Sequence, residues 1–267
     1  MRINEMLQYY NAFENGNTLQ MHNTGKLSNS LIDTQIPKKY LVAFQQILIK
    51  RQAFFARIRK LAEGKYSDKD DEKLQFFNKT VENHILCIPF FNKTYDGTLV
   101  LTEVAISLGL AQSIRTVFQT CPSIVQHLYL NTNSMIGTHL EAVLEGCLAL
   151  SGKFKTLTIQ HNDVNERCAQ LIVELCKRKL PNQLDSLNLY FCKISAEATE
   201  TLLKGITRCQ LTQLSLVKSN LNELSLKHLT DMIEANKRLK FLDISWNSLP
   251  FRASRKLLEV LASNRKL

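Results

Sequence analysis

A spacing pattern that occurs five times between Val125 and Leu249 constrains the fold more than any other feature of the chain. The pattern is L-x-x-L-x-L-x-x-N/C-x-L, with other aliphatic residues at some L positions. Its positions 1, 4, 6, 9 and 11 are Val125, Leu128, Leu130, Asn133, Met135; Phe154, Leu157, Ile159, Asn162, Val164; Leu184, Leu187, Leu189, Cys192, Ile194; Leu211, Leu214, Leu216, Ser219, Leu221; and Leu239, Leu242, Ile244, Asn247, Leu249. Successive copies begin 29, 30, 27 and 28 residues apart. Copies in phase predict stacked structural units, one for each copy.

Each copy predicts a short strand followed by a turn. Positions 4 and 6 alternate as in a strand, so both side chains point to one face and into the core. At position 9 the chain leaves the strand, and an Asn there can satisfy buried backbone groups of neighbouring units. Cys192 and Ser219 occupy the same position and can do part of this, more weakly.

A helix is predicted after each strand, because apolar residues recur there at helical spacing. The five apolar stripes are Leu140, Val143, Leu144, Cys147; Cys168, Leu171, Ile172, Leu175; Leu202, Leu203, Ile206; Leu229, Met232, Ile233; and Leu257, Leu258, Leu261. Ser195 and Ser225 are the predicted N-caps of the third and fourth of these helices.

The unit length and the pairing of a strand with a full helix resemble the ribonuclease-inhibitor-like class of leucine-rich repeats, over about residues 123–267. The resemblance implies an α/β solenoid with a parallel inner sheet, outer helices and a concave face that grips another protein. It also makes a cytoskeletal or axonemal complex, or a bacterial effector in a host cytosol, a reasonable setting. The basic charge and the seven cysteines depart from ribonuclease inhibitor itself.

The candidate binding surface consists of positions 3, 5, 7 and 8, which point away from the core. Exposed aromatic side chains on a rigid surface are common anchors of protein interfaces. The candidate partner-binding residues are Tyr129, His161, Tyr190, Phe191, Lys218, Phe241, Asp243 and Trp246. The alternative is that neighbouring side chains or an N-terminal arm cover them.

The net charge of +10 is concentrated in two segments. Residues 38–65 carry eight bases and one acid, and residues 252–267 carry five bases and one acid, whereas residues 66–251 balance at 19 of each sign. A helix with a basic patch is predicted over 38–65, and the patch consists of Lys50, Arg51, Arg57, Arg59 and Lys60. Such a helix suits a calmodulin-type contact, an anionic surface or nucleic acid, or it is an ordinary packed helix with a solvated basic face.

Three segments follow from composition and pattern. Residues 1–36 are rich in polar residues and predict a flexible arm, with folding on a partner as the alternative. Residues 37–122 predict an α-helical N-terminal region that caps the repeats. Within it, residues 85–95 loosely resemble a degenerate repeat strand, and residues 98–119 predict one helix or two, divided near Gly109. Residues 123–267 hold five repeats and the start of a sixth, so the natural chain is expected to continue past Leu267 or to be covered there by a partner.

No catalytic motif supports an enzyme, and no cofactor or metal site is predicted, because the chain lacks a Gly-rich phosphate loop and clustered metal ligands. The odd, scattered cysteines favour a reducing, cytoplasmic compartment, and no apolar stretch is long enough to span a membrane. The sequence therefore favours a non-enzymatic interaction module or scaffold subunit with an unknown protein partner. A small-GTPase regulator and an anionic-surface or nucleic-acid binder acting through 38–65 are the alternatives, and nucleic acid is disfavoured because the repeats are neutral.

Overall fold

The computed structural model describes residues 97–267 apart from 121, 124, 152, 153, 180–182, 237, 265 and 266, and in this part strands and helices alternate. The strands are β1 (Thr98–Thr102), β2 (His127–Asn131), β3 (Thr156–Gln160), β4 (Asp163–Val164), β5 (Ser186–Tyr190), β6 (Lys193–Ile194), β7 (Gln213–Val217) and β8 (Phe241–Asp243). The helices are α1 (Leu108–Thr120), α2 (Gly137–Cys147), α3 (Glu166–Cys176), α4 (Ala196–Ile206), α5 (Glu223–Ala235) and α6 (Phe251–Ser263). The predicted α/β class with a parallel sheet is confirmed.

The main sheet has six parallel strands in the order β1-β2-β3-β5-β7-β8. The register pairs each position of the pattern with the same position in the neighbouring copy, since Leu128 pairs with Leu157 and Leu187 pairs with Leu214. The short strands β4 and β6 form a second parallel pair beside it. Equivalent positions of successive units therefore lie side by side across the sheet.

The core lies between the sheet and the helices. Position 4 is fully buried in β2, β3, β5 and β7, as strand alternation requires. The apolar stripes of α2, α3, α4 and α5 are buried as predicted. The stripe on α6 is wrong at Leu258, which is 62% exposed, because α6 packs mainly along α5 in the described part of the chain.

The predicted helix over 98–119 is wrong in its first part. Residues Thr98–Thr102 form β1, which pairs with β2 in parallel, and the helix begins at Leu108. The alternation Thr-Leu-Val-Leu-Thr suits a strand, and Leu99 and Leu101 are buried opposite Leu128 and Leu130. One further strand and helix thus precede the five recognised copies.

Position 9 performs the predicted role. The Asn162 side chain accepts a hydrogen bond from Met135 N (3.1 Å) and donates to the carbonyls of Leu130 (3.1 Å) and Gln160 (2.9 Å). Asn247 likewise accepts from Ser219 N (2.9 Å). The Cys192 thiol only donates, to Ile159 O at 3.3 Å, which agrees with the weaker role expected of a thiol.

The helix caps follow the prediction at one of two places. The Ser195 hydroxyl accepts from Ala198 N and caps α4. Ser225 is not a cap, because the side chain of Asn222, three residues earlier, accepts from Ser225 N and starts α5. An Asn and a Ser both cap well, so the choice between them depended on where the strand turn ended.

The cysteines are buried, as small apolar residues are. Cys147, Cys168, Cys176 and Cys192 are each at most 3% exposed, and all four thiols are free. Among the described helices, none is long and apolar enough to cross a membrane.

Candidate functional site

A left-handed turn ends each long strand at position 8 of the pattern. The residues at this position have φ between 47° and 61°, although none of them is glycine. They form a set that we call the edge row: Glu103, Thr132, His161, Phe191, Lys218 and Trp246. Their register follows from the parallel pairing, so the edge row runs along the carboxyl ends of the strands.

The turn has a clear structural cause. A continuing strand would point position 8 into the core and position 9 outward, but position 9 holds the buried side chains that satisfy the backbone. A left-handed residue breaks the alternation, so position 8 points outward after position 7. The backbone stays anchored, since Phe191 N donates to Val217 O (2.9 Å) and Lys218 N donates to Ser245 O (3.0 Å).

Side chains in the middle of the edge row pack on one another. The rings of His161 and Phe191 stack, with centroids 5.0 Å apart and planes at 26°. The Lys218 ammonium lies 5.4 Å from the centroid of Phe191, within cation–π range. These contacts hold three different side chains as one ordered surface.

All six residues of the edge row are exposed. Phe191 is 36% exposed and Trp246 is 78% exposed, while His161 and Lys218 are also exposed. A large aromatic side chain with that much surface in water is unfavourable unless something covers it. Trp246 is therefore the strongest single candidate for a partner contact on this surface.

A polar groove lies on the open face of the sheet, beside the edge row. It has a volume of about 450 Å³ and is lined by residues of β2, β3, β5 and β7, including Tyr129, Gln160, Asn188 and Tyr190. Asn188 Nδ2 donates to Thr158 Oγ1 (3.1 Å), and Gln213 Nε2 donates to Asn188 Oδ1 (3.3 Å). The floor of the groove is thus a network of amides and hydroxyls.

Several outward positions on this face are not exposed. Thr158, Asn188 and Ser215 are 5%, 6% and 0% exposed, because neighbouring side chains on the adjoining strands cover position 5. Tyr190 was expected to be exposed but is half-buried, as Tyr129 is. Exposed aromatic surface on the described sheet is consequently concentrated at the edge row and on β8.

The remaining candidates lie on the last strand. Phe241 is 49% exposed, and Asp243 is half-buried with its carboxylate accepting from Ser245 N at 3.0 Å. The structure therefore brings His161, Phe191, Lys218 and Trp246 together in the edge row. It places Tyr129 and Tyr190 in the polar groove, and Phe241 and Asp243 on β8.

A second groove of about 880 Å³ follows the other side of the edge row. Lys218 and Trp246 line it together with the helix caps Asn165, Ser195 and Asn222. Its charges are mixed, since Lys193 lies 4.0 Å from Asp163 and both are largely solvated, so this ion pair contributes little. Burial raises the pKa of Cys192, also in this groove, to about 11, so its thiol is neutral at pH 7.

Some expectations lie outside the described residues. These are the arm over 1–36, the basic patch of Lys50, Arg51, Arg57, Arg59 and Lys60, and the strand-like segment 85–95. Within the described part, no three His, Cys, Asp or Glu residues are grouped so that they could hold a metal ion.

Two features of the site were missed from sequence. The left-handed turns carry no glycine or asparagine signal, although two successive outward positions, 7 and 8, already require a break in strand alternation. The second groove depends on helix caps at position 12, and Asn165, Ser195 and Asn222 do recur there in the sequence.

Comparisons with known proteins do not identify a family for this chain. No protein-family model matches the chain, and no curated protein matches it.

Proposed function

We propose that this chain is a leucine-rich-repeat solenoid that serves as a non-enzymatic protein-interaction module or scaffold subunit of a larger cytoplasmic assembly. It binds its partner through the edge row and the adjoining open face of the sheet, which is the concave face of such a solenoid. The repeating pattern, the parallel sheet and the alternating helices support the architecture.

The single observation that carries the binding role is the edge row itself. Phe191 and Trp246 hold large aromatic side chains in water on left-handed backbone, where glycine would avoid the steric cost. Neither burial in the core nor backbone geometry accounts for an aromatic residue at those two places. Binding of a partner does, because aromatic residues that become desolvated dominate interface energies.

The sheet makes this surface a favourable platform. Position 8 follows directly on a hydrogen-bonded strand, and its amide is itself bonded to the next strand. Side chains held on rigid elements lose little conformational freedom when a partner binds. The edge row therefore offers a preorganised set of anchors.

The test is affinity capture from an extract of the source cells. The full chain is compared with a Phe191→Ala, Trp246→Ala double variant, and the captured proteins are quantified by mass spectrometry. Removal of two interface anchors, each worth about 2 kcal/mol, reduces capture of the specific partner by tenfold or more.

The matched control is a Phe251→Ala, Leu258→Ala double variant. Both side chains are exposed, at 89% and 62%, and neither is in the edge row. The control retains the partner. Equal capture by all three proteins, or equal loss in both variants, contradicts the proposed surface.

A further inference from the structure

From β1 to β7 the open face of the sheet is uncharged, although the protein is strongly basic. Positions 3, 5 and 7 of β1, β2, β3, β5 and β7 supply this face, and none of these positions holds Asp, Glu, Lys or Arg. The only histidine among them, His127, lies 2.9 Å from Thr156 Oγ1 through its Nδ1. In β8 the face ends with Phe241 and the carboxylate Asp243.

Charged residues flank this face at both ends of the strands. Lys155 and Asp185 pair at 3.1 Å just before β3 and β5 begin. Glu103 and Lys218 follow β1 and β7 in the edge row. The neutral strip between them coincides with the polar groove.

This distribution of charge determines which chemical groups can bind favourably in the polar groove. A carboxylate or ammonium group moved onto the strip would lose hydration and find no opposite charge, which is costly. Amide and hydroxyl groups would instead find matching donors and acceptors. The half-buried side chains of Tyr129 and Gln160 line the groove and offer a hydroxyl and an amide for such bonds.

We infer that the groove holds an extended, uncharged polar peptide segment of the protein partner, an inference that rests on the proposed function. The groove crosses four strands spaced about 4.8 Å apart, which is about 14 Å in total. An extended chain advances about 3.3 Å per residue, so four or five residues fit across it. The segment's flanking residues then reach the edge row.

A peptide is favoured over a glycan by the way the edge row is packed. A sugar ring stacks on a free aromatic face, but His161 occupies one face of Phe191 and the Lys218 ammonium lies over the ring. Trp246 is more exposed, but it lines the second groove and not the polar groove. The two tyrosines of the groove, Tyr129 and Tyr190, are half-buried. Hydrogen bonding to a peptide backbone does not need free ring faces.

The test is selection of a phage-displayed library of random 12-residue peptides on the full chain. Enriched peptides contain fewer Asp, Glu, Lys and Arg residues than the unselected library. Their affinity changes less than twofold between 50 and 500 mM NaCl, because no ion pair forms. A Gln160→Glu variant, which adds one charge inside the groove with almost no change in shape, binds them at least tenfold more weakly.

The matched control is Gln112→Glu, the same substitution at an exposed site on α1. It leaves affinity unchanged, and circular dichroism checks that both variants fold. Charged enriched peptides, a steep salt dependence, equal affinity of the two variants, binding of arrayed glycans alone, or an empty selection each overturn the inference.

The failures of the two proposals are distinguishable. Suppose that peptides or partners no longer bind the Phe191→Ala, Trp246→Ala variant but still bind the Gln160→Glu variant. This result supports the edge row as the binding surface and refutes the uncharged peptide segment in the groove. Partners that bind both variants as well as they bind the wild type refute the proposed function as well.

Discussion

A bulky residue on left-handed backbone costs free energy that glycine would avoid. The edge row accepts this cost at six successive units, with residues as different as Thr132, Lys218 and Trp246. A left-handed conformation costs an L-residue about 1–2 kcal/mol. The left-handed backbone at position 8 is required because position 9 turns inward. The particular side chains of the edge row are not required by that turn. Their identity therefore bears on binding.

This strain predicts an unusual response to glycine at Thr132, which is exposed at φ 52°. Thr132→Gly is more stable than Thr132→Ala by about 0.5–1 kcal/mol, because relief of strain outweighs the greater freedom of glycine in the unfolded chain. Urea unfolding of the two variants measures the difference. Ser248 is exposed and has no positive φ, so there the alanine variant is more stable than the glycine variant. A glycine variant that is less stable than the alanine variant at both sites contradicts the argument.

Equivalent residues at position 9 contribute unequally to the free energy of unfolding. Asn162→Ala removes the acceptor of the buried Met135 amide and two donated bonds, and costs about 2–3 kcal/mol of unfolding free energy. Cys192→Ala costs about 1 kcal/mol, since the bonds that the thiol donates to Ile159 O and Tyr190 O are weak. Guanidinium unfolding compares the two variants, and equal losses would show that the Asn side chain has no special role.

The buried thiols predict a loss of stability at high pH. Burial raises the pKa of Cys192 from 9.0 to about 11. Above pH 9 the unfolded chain releases this proton while the folded chain keeps it, so stability is complete below pH 9 and falls as pH rises toward 11. Between pH 8 and 10 this thiol accounts for a loss of about 1 kcal/mol. Unfolding at both pH values shows a smaller loss in Cys192→Ser than in the wild type; identical losses refute the assignment.

At the scale of the elements, the helix caps differ from one unit to the next. Asn165, Ser195 and Asn222 each accept from the third residue of the helix that follows, whereas Ile136 begins α2 without a side-chain cap. Ile136 is also 54% exposed and already has extended backbone at φ −79°, ψ 164°. The cap position of α2 is therefore open to improvement.

Ile136→Ser is more stable than Ile136→Ala by about 1 kcal/mol, because its hydroxyl can accept from an amide in the first turn of α2, while both variants lose the same buried part of the Ile136 side chain. Asn222→Ala costs a similar amount by removing the bond to Ser225 N, which lies at 2.9 Å. Thermal unfolding followed by circular dichroism measures both. The cap argument is refuted when Ile136→Ser has the same midpoint as, or a lower one than, Ile136→Ala.

The elements were predictable wherever the pattern was complete. Two spacings, L-x-L for the strand and i, i+3, i+4 for the helix, locate β2, β3, β5, β7 and β8 and the helices α2 to α5. The short strands β4 and β6 were not predicted. β1 was missed because Val104 stands where the pattern requires Asn, although Leu99 and Leu101 keep the strand spacing. The exposure of Leu258 could not be read from its own helix, since burial depends on what packs against that helix.

At the scale of the whole molecule, the parallel sheet decides which residues meet. Residues about 28 apart in sequence become neighbours, so the sequence pattern correctly predicted that position 8 would form a row. It could not predict which outward residues stay exposed. Asn188 and Thr158 cover each other through a hydrogen bond between strands, and such a contact depends on rotamers that a single sequence does not specify.

The most direct measurement is site-specific photocrosslinking from the edge row. p-Benzoylphenylalanine replaces Lys218 in one full-length variant and Lys227, exposed on α5, in another. After irradiation in an extract of the source cells, crosslinked species are identified by mass spectrometry. We predict one reproducible protein adduct from position 218 that is absent at position 227. An adduct at 227 and none at 218 would contradict a binding surface at the carboxyl ends of the strands.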